Sequence, residues 1–251
     1  MKIQRYGWKR SLPDQRDRQH LYVAPANLTI PASVDLRPSD PPIRDQGEEG
    51  SCTAFASTGA DWFVRRKLGL ADFERSEAFT YWGARVYEGT IPDDSGAQVR
   101  EALRDLVWHG ACPIDVMPYV AGSYTLPPSP QAKAAAAEHK VTSYHAVPQT
   151  LTAMRSCRAE GYPFISGFTV YESFESSTVA RTGVVPMPHM TEGVLGGHAV
   201  VTVGYSDATQ RFLVRNSWGT VWGMHGYFTV PYAYWTSRDL ADDFWTLRRT
   251  L

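Results

Sequence analysis

The stretch Gln46–Ala56 reads QGEEGSCTAFA, a glycine-rich turn that delivers one cysteine straight into an apolar segment. Ser51 fits a helix N-cap, and the residues from Cys52 to about Leu68 read as a helix. Phe55, Gly59, Trp62 and Phe63 share one face, and Gly69 supplies the stop. Cys52 then opens that helix, where unpaired N–H groups and the positive end of the dipole favour a thiolate, the nucleophilic form of the side chain. A lone cysteine is more often a small buried hydrophobe, so a chemical role needs partners elsewhere in the chain.

Two later stretches supply them. In LGGHAVVTVGY (195–205) a histidine, His198, follows Gly196 and Gly197 at the mouth of a β-branched strand. In VRNSWGTVWGMHGYF (214–228) an asparagine, Asn216, ends the next strand. Consecutive strands of this kind pair as an antiparallel hairpin, which sets the start of one beside the end of the other and brings His198 to Asn216. The three residue types suit one another. The imidazole takes the thiol proton and returns it to a leaving amine, and the asparagine fixes the ring without competing for the proton. The Cys52 backbone N–H and the Gln46 side-chain amide are donors for a tetrahedral oxyanion.

The rest of the chain reads as a helical half followed by a β half, an α+β protein of two lobes. IPASVDLRPSD (30–40) marks entry into the folded body; SEAFTYWGARVY (76–87) opens a second helix at Ser76, and SGAQVREALRDLVWHGA (95–111) carries a third with Val99, Leu103, Leu106 and Val107 as its apolar stripe. The connector LPPSPQ (126–131) separates a helical lobe of about 31–125 from a β lobe of about 126–251. Beyond it a short helix around LTAMRSCRAEG (151–161) leads into strands at YPFISGFTVY (162–171), HAVVTVGYSD (198–207), RFLVRNSW (211–218) and GYFTVPYAY (226–234).

Composition excludes several classes. The 251 residues carry a formal charge of −1, so neither nucleic acid nor an anionic membrane is the expected partner. The longest apolar runs are strand-sized, and the seven histidines lie too far apart for a metal motif. With three cysteines (Cys52, Cys112, Cys157) and a polar start unlike a secretory signal, all three read as reduced thiols. The expected compartment is the cytoplasm, or export without a classical signal.

Taken together, the motifs resemble the papain-like cysteine peptidases. QGEEGSCTAF is similar to that family's Gln-Gly-x-Cys-Gly-Ser-Cys-Trp-Ala-Phe segment, GGHAVVTVGY to its histidine strand and NSWGTVWGMHGY to its asparagine motif, with the resemblance running from about Ile30 to near Leu247. It implies a two-lobed papain-like fold with the active-site cleft between the lobes, and an endopeptidase acting on peptide or protein substrates without a cofactor. It makes Gln46 the oxyanion amide, Cys52 the nucleophile, His198 the base and acid, Asn216 the orienting residue and Trp218 a shield over the His–Asn pair. Ser95 and Gly96, in DDSGAQVREAL (93–103), resemble the substrate edge, with Gly96 pairing with the substrate backbone; Gly197 and Trp218 are further substrate-binding residues the resemblance implies. The pocket for the second residue upstream of the cut is expected from Gly167–Val170 and the loop 187–195, with His189 a further candidate for its lining.

Departures bear on function. Glu49 stands where the family has a disulfide cysteine, and Thr53 where it has an aromatic residue, which removes a wall on the leaving-group side. Residues 1–30 are too short and polar for the family's helical pro-segment. They read as a strap on the back of the body, as an arm laid through the cleft, or as an unattached tail. An arm in the cleft makes the protein either self-inhibited or a silent binding protein with a plugged cleft. An aminopeptidase or transpeptidase is a further alternative within the same residue set.

Overall fold

The computed structural model describes residues 6–251, with residues 16 and 18 by backbone alone; the first five residues of the predicted arm lie outside the described residues. In chain order come β1 (Trp8–Lys9), β2 (Ser33–Asp35), α1 (Cys52–Lys67), α2 (Glu77–Glu88), β3 (Ala97–Gln98), α3 (Val99–Trp108), α4 (Pro130–Ala137) and β4 (Val141–Ala146). Then follow α5 (Leu151–Ala159), β5 (Phe164–Tyr171), α6 (Ser177–Thr182), β6 (Val194–Ser206), β7 (Arg211–Arg215), β8 (Tyr227–Pro231), α7 (Tyr232–Thr236) and β9 (Ala241–Thr250). This is the α+β arrangement expected from the sequence: helices α1–α3 on one side, and on the other a largely antiparallel sheet of order β4–β9–β5–β6–β7–β8, with β2 added to β6.

Helix α1 joins the two halves. It is buried from Cys52 to Arg65, so it is covered on every face, touching α2 and α3 on one side and β5, β6 and β9 on the other. Its first residue is thereby fixed at the seam between helices and sheet. The hydroxyl of Ser51 does not cap the helix, as the sequence suggests, but bonds Tyr119 Oη at 2.8 Å. Ser76 does cap α2, accepting the Phe79 N–H. Val99, Leu103 and Leu106 face inward from α3, as its period requires, while Val107 is half-buried.

The register of β6 and β7 brings the distant motifs together. Val201 pairs with Arg215 and Thr202 with Val214 in an antiparallel ladder. The strand containing His198 starts earlier than the sequence indicates, at Val194, because β5 carries the pairing past the histidine, with Phe168 opposite His198. Ser33–Asp35, which the sequence reading puts at the start of the helical lobe, pair with β6 of the sheet instead.

The N-terminal segment takes two of the three routes that the sequence leaves open. Residues 6–9 lie between helices and sheet, where β1 pairs in parallel with β3. Farther along, Leu21 and Tyr22 pack on β4: the Tyr22 N–H donates to Ala146 O at 2.8 Å, and the Tyr22 ring joins the core of the β lobe. One end is an arm and the other a strap.

Asp61 of α1 and Arg75 form an ion pair at 2.9 Å with no side-chain exposure on either partner; the guanidinium also lies over the Phe73 ring at 4.4 Å. Removing one partner strands the other charge in the core, at about 3–5 kcal/mol. Asp61→Ala is therefore expected to lower the urea-unfolding free energy by that amount, and Asp61→Leu combined with Arg75→Met to recover at least half of it. A loss below about 1 kcal/mol for the single variant contradicts this account of the pair.

Candidate active site

Asn216 follows the last residue of β7, and its backbone N–H donates to Gly226 O at 2.9 Å, which anchors the turn. Its Oδ1 accepts the Ser217 N–H at 2.9 Å and lies 2.8 Å from His198 Nε2. Because Oδ1 only accepts, Nε2 carries the ring proton and Nδ1 presents a lone pair; among the described residues Nδ1 is buried without a hydrogen-bond partner. Trp218 lies over the imidazole with ring centroids 5.0 Å apart and planes inclined by 30°. Phe168 and Phe174 enclose the ring from the sheet side.

The sulfur of Cys52 reaches the backbone N–H of Ala199, the residue after His198, so the helix and the histidine strand meet here. Gln46 is fixed from three sides. Its N–H donates to Ser217 O at 2.9 Å, its Oε1 accepts the Ser217 hydroxyl at 2.6 Å, and its Nε2 donates to Glu49 O at 2.9 Å. Tyr119, which donates to Gln46 O at 2.8 Å and contacts Ser51, ties both sides of the cysteine loop to one hydroxyl. Glu49 is buried and accepts the Gly122 N–H at 2.9 Å, so a carboxylate tethers the loop at the position where the resemblance leads one to expect a disulfide. The three cysteines are free, and Cys112 and Cys157 lie in core clusters. Thr53 is buried inside α1.

The arm crosses directly over this group. Gly7 O accepts the Ala97 N–H at 2.8 Å, and the Gly7 N–H reaches the Cys52 sulfur. A Cβ at Gly7 would overlap the Gly50 carbonyl, and one at Gly96 would overlap Gly7 itself. Gly96 thus supplies room for the crossing chain, while its own N–H donates to Tyr81 Oη at 3.0 Å; the pairing with the arm is made by Ala97. Ser95 bonds Thr90 and the Gly96 carbonyl and stays within its loop. On the far wall Gly197 and Gly167 abut Trp8, where any side chain would overlap it, and the Trp8 indole N–H donates to Asp243 Oδ2 at 2.8 Å. On the other side of Cys52, Tyr6 sets its ring 6.1 Å from His198 and 6.2 Å from Trp218 and bonds Glu175. His189 is exposed and bonds Thr191, outside this group.

Burial sets the protonation state. It pushes the Cys52 thiol up to about 11, against the opposing N–H groups of Ala199, Gly7, Thr53 and Cys52. It pushes His198 down to about 4, against the Asn216 hydrogen bond. The sequence reading of a helix N-terminus that favours a thiolate is overridden here, because desolvation under the arm outweighs the dipole. With the arm in place the pair is thiol and neutral imidazole.

Sequence reasoning missed Ser217, Tyr119, Ala97 and Asp243. Ser217 was open to discovery, since it directly follows Asn216; the others are placed by long-range packing alone.

The chain is similar to known proteins along most of its length. The sequence profile described as "Papain family cysteine protease" matches residues 30–238. An uncharacterized peptidase C1-like protein of Acanthamoeba polyphaga mimivirus is 34% identical over 268 residues, covering 97% of this chain and 86% of that one. A cathepsin B-like protein of Giardia intestinalis is 29% identical over 80% of this chain and 69% of its own length. The crystal structure of xylellain, a cysteine protease from Xylella fastidiosa, superimposes with a TM-score of 0.91 at 34% identity, covering 99% of this chain and 98% of that one.

Covering keeps His198 neutral, so protonation opposes closure. With a folded, covered value of about 4 against an ordinary 6.5, opening takes up a proton as pH falls through that window. Hydrogen-exchange protection of residues 6–13, corrected for intrinsic rates, is expected to drop at least tenfold between pH 7.5 and 4.5. Protection that stays constant over that range contradicts the linkage.

Proposed function

This chain belongs to the papain family of cysteine proteases, and we propose that it is an endopeptidase held idle by its own N-terminal arm, with Cys52 as nucleophile, His198 as base and acid, Asn216 as the residue that orients the imidazole and Gln46 as oxyanion donor. One observation carries the endopeptidase reading: the arm is an extended polypeptide that continues on both sides of Cys52, with Tyr6 against His198 and Trp218 on one side and Trp8 pairing with Ala97 on the other. A groove closed at one end, as an aminopeptidase requires, has no room for such a path.

When the arm withdraws, His198 Nδ1 takes the Cys52 proton. The sulfur then attacks the carbonyl carbon of the scissile bond, and the C=O electron pair moves onto oxygen, where the Cys52 N–H and the Gln46 amide receive it. Collapse restores the carbonyl and breaks the C–N bond, the amine leaving with the proton from His198. Water, deprotonated by His198, attacks the thioester; the acid departs and the sulfur regains its proton. Asn216 keeps Nε2 engaged throughout, so only Nδ1 exchanges protons.

The idle state follows from what the arm presents. A substrate must offer a carbonyl carbon to the sulfur, whereas the arm offers the Gly7 N–H. The arm is also tied at both flanks, by Lys9 to Glu88 at 3.0 Å and by Arg10 to Asp242 at 3.3 Å. Complete burial of Cys52 favours a second reading, a silent binding protein whose cleft never opens.

Deleting residues 1–30 also removes the Tyr22 strap from the core, so point variants in the full chain are the cleaner test. Trp8→Ala gives up burial worth about 3–5 kcal/mol, and Gly7→Ala places a methyl on the Gly50 carbonyl. Both are expected to accelerate labelling of Cys52 by a peptidyl epoxide at pH 7 at least tenfold over wild type, with turnover of a fluorogenic peptide rising in parallel. Cys52→Ala is expected to abolish both signals. Folded variants that show neither labelling nor turnover support the silent binding protein.

A further inference from the structure

Outside the cleft, two cations converge on a thiol that the chemistry above does not use. Cys157 and Arg158 are neighbours near the end of α5, and both are fully buried. Among the described residues Arg158 pairs with no carboxylate. Its guanidinium donates to the Thr202 carbonyl and, at 2.9 Å, to Cys157 Sγ, and it lies 4.3 Å from the centre of the Phe164 ring. Burial pushes that guanidinium down to about 10, so it is still a cation at neutral pH, and the largest opposing influence is the Cys157 sulfur. From β9, Arg248 donates to the same sulfur at 3.4 Å and to Glu160 Oε2 at 3.2 Å. The Cys157 S–H is directed at the Tyr162 carbonyl, 3.9 Å away, which leaves the sulfur lone pairs to the two guanidiniums. Cys112 is as deeply buried but differently surrounded. Its S–H donates to Pro113 O at 3.4 Å, and burial with the Asp115 carboxylate pushes it up to about 12.

The N-terminal strap closes over the Cys157 cluster. The Arg248 guanidinium lies 4.2 Å from the centre of the Tyr162 ring and 4.8 Å from that of Tyr22. The Tyr22 hydroxyl donates to Glu160, the carboxylate that Arg248 also holds. Thiol, guanidinium, carboxylate and strap are thus one connected unit. Two cations at one sulfur suit attack on a hydroperoxide, because negative charge collects on the departing oxygen and guanidinium N–H groups stabilise it.

We propose that Cys157 is a modification site for hydrogen peroxide, oxidised to a sulfenic acid between Arg158 and Arg248, and that the added oxygen unseats the Tyr22 strap. The sulfur lone pair takes the near oxygen, and the O–O bond breaks with its electron pair on the far one. That oxygen leaves as water with the thiol proton; sulfur gives up two electrons and the peroxide receives them. The new oxygen needs room that a buried sulfur lacks. Arg248, turning toward it, leaves Glu160 and the Tyr22 ring.

The test uses the full chain with Cys52→Ala, which removes the active-site thiol, exposed to hydrogen peroxide at pH 7. Dimedone traps the sulfenic acid, and peptide mass identifies the site. Cys157 is expected to be trapped at least about tenfold faster than Cys112. Tyr22→Ala, by opening the cover, is expected to speed Cys157 trapping about tenfold further. Adding Arg248→Met to that variant separates activation from packing. Loss of a mere packing group loosens the cover and speeds trapping, whereas loss of the cation is expected to slow it at least about fivefold, with Arg248→Lys restoring most of the rate. On oxidation the Tyr22 amide, which donates to Ala146 O, is expected to lose at least about tenfold of its hydrogen-exchange protection. Should the Arg248 variants fail to fold, the Cys157-to-Cys112 ratio and the Tyr22 exchange decide the matter. Cys157 trapped no faster than Cys112 or not at all, trapping that Arg248→Met leaves unchanged or speeds, or Tyr22 protection intact in the oxidised chain overturns the proposal.

Discussion

Gly7, Gly50 and Gly96 meet backbone to backbone above Cys52, and the state of the whole cleft depends on the absence of Cβ atoms at that crossing. A methyl at Gly7 would sit inside the Gly50 carbonyl, and one at Gly96 inside the Gly7 backbone. Only because Gly7 and Gly96 are glycine does the arm come down far enough for its N–H to reach the sulfur and its carbonyl to pair with Ala97. The other contacts of the arm in the cleft follow from that approach. It seats Trp8 between two further glycines and brings Tyr6 onto the imidazole.

The same contact governs the chemistry. A thiol and an imidazole in water are poised to exchange a proton, whereas beneath a peptide chain and an aromatic cage neither charge is solvated. On the proposed reading the arm does more than exclude substrate, since burial beneath it favours the neutral form of both Cys52 and His198. The hydrogen bond from His198 to Asn216 and the threefold hold on Gln46 stay in place meanwhile. The machinery is assembled but uncharged, so opening is a matter of hydration and not of rearranging side chains.

Much of this was legible in the sequence. The order of the cysteine, histidine and asparagine motifs pointed to the fold, because each motif is contiguous and its surroundings are local: a glycine turn into a helix, a strand start, a strand end. Ser76 as a cap and the stripe of α3 were readable for the same reason. What was not legible arises between segments far apart. Asp243 meets Trp8 across 235 residues, and nothing in ADDFW marks one of two neighbouring acids as the partner of its indole. Tyr119 reaches Gln46 across 73 residues. The burial of Cys52 was not legible either, because the helix dipole can be read from sequence, whereas desolvation by an arm whose route was undecided cannot. The arm itself divides into a cleft segment and a strap, a combination that polar composition and proline content do not resolve.

On the proposed reading the arm and a substrate compete for one groove. The most direct test follows the indole N–H resonance of Trp8 in the full chain, labelled with nitrogen-15 at tryptophan, while Cys52 is modified by a peptidyl epoxide. Mutual exclusion predicts that the resonance leaves its hydrogen-bonded position for that of a solvent-exposed indole in proportion to the modified fraction. Complete modification of Cys52 with the Trp8 resonance unmoved would show that the arm and the ligand share the protein without sharing the cleft, and would contradict the account.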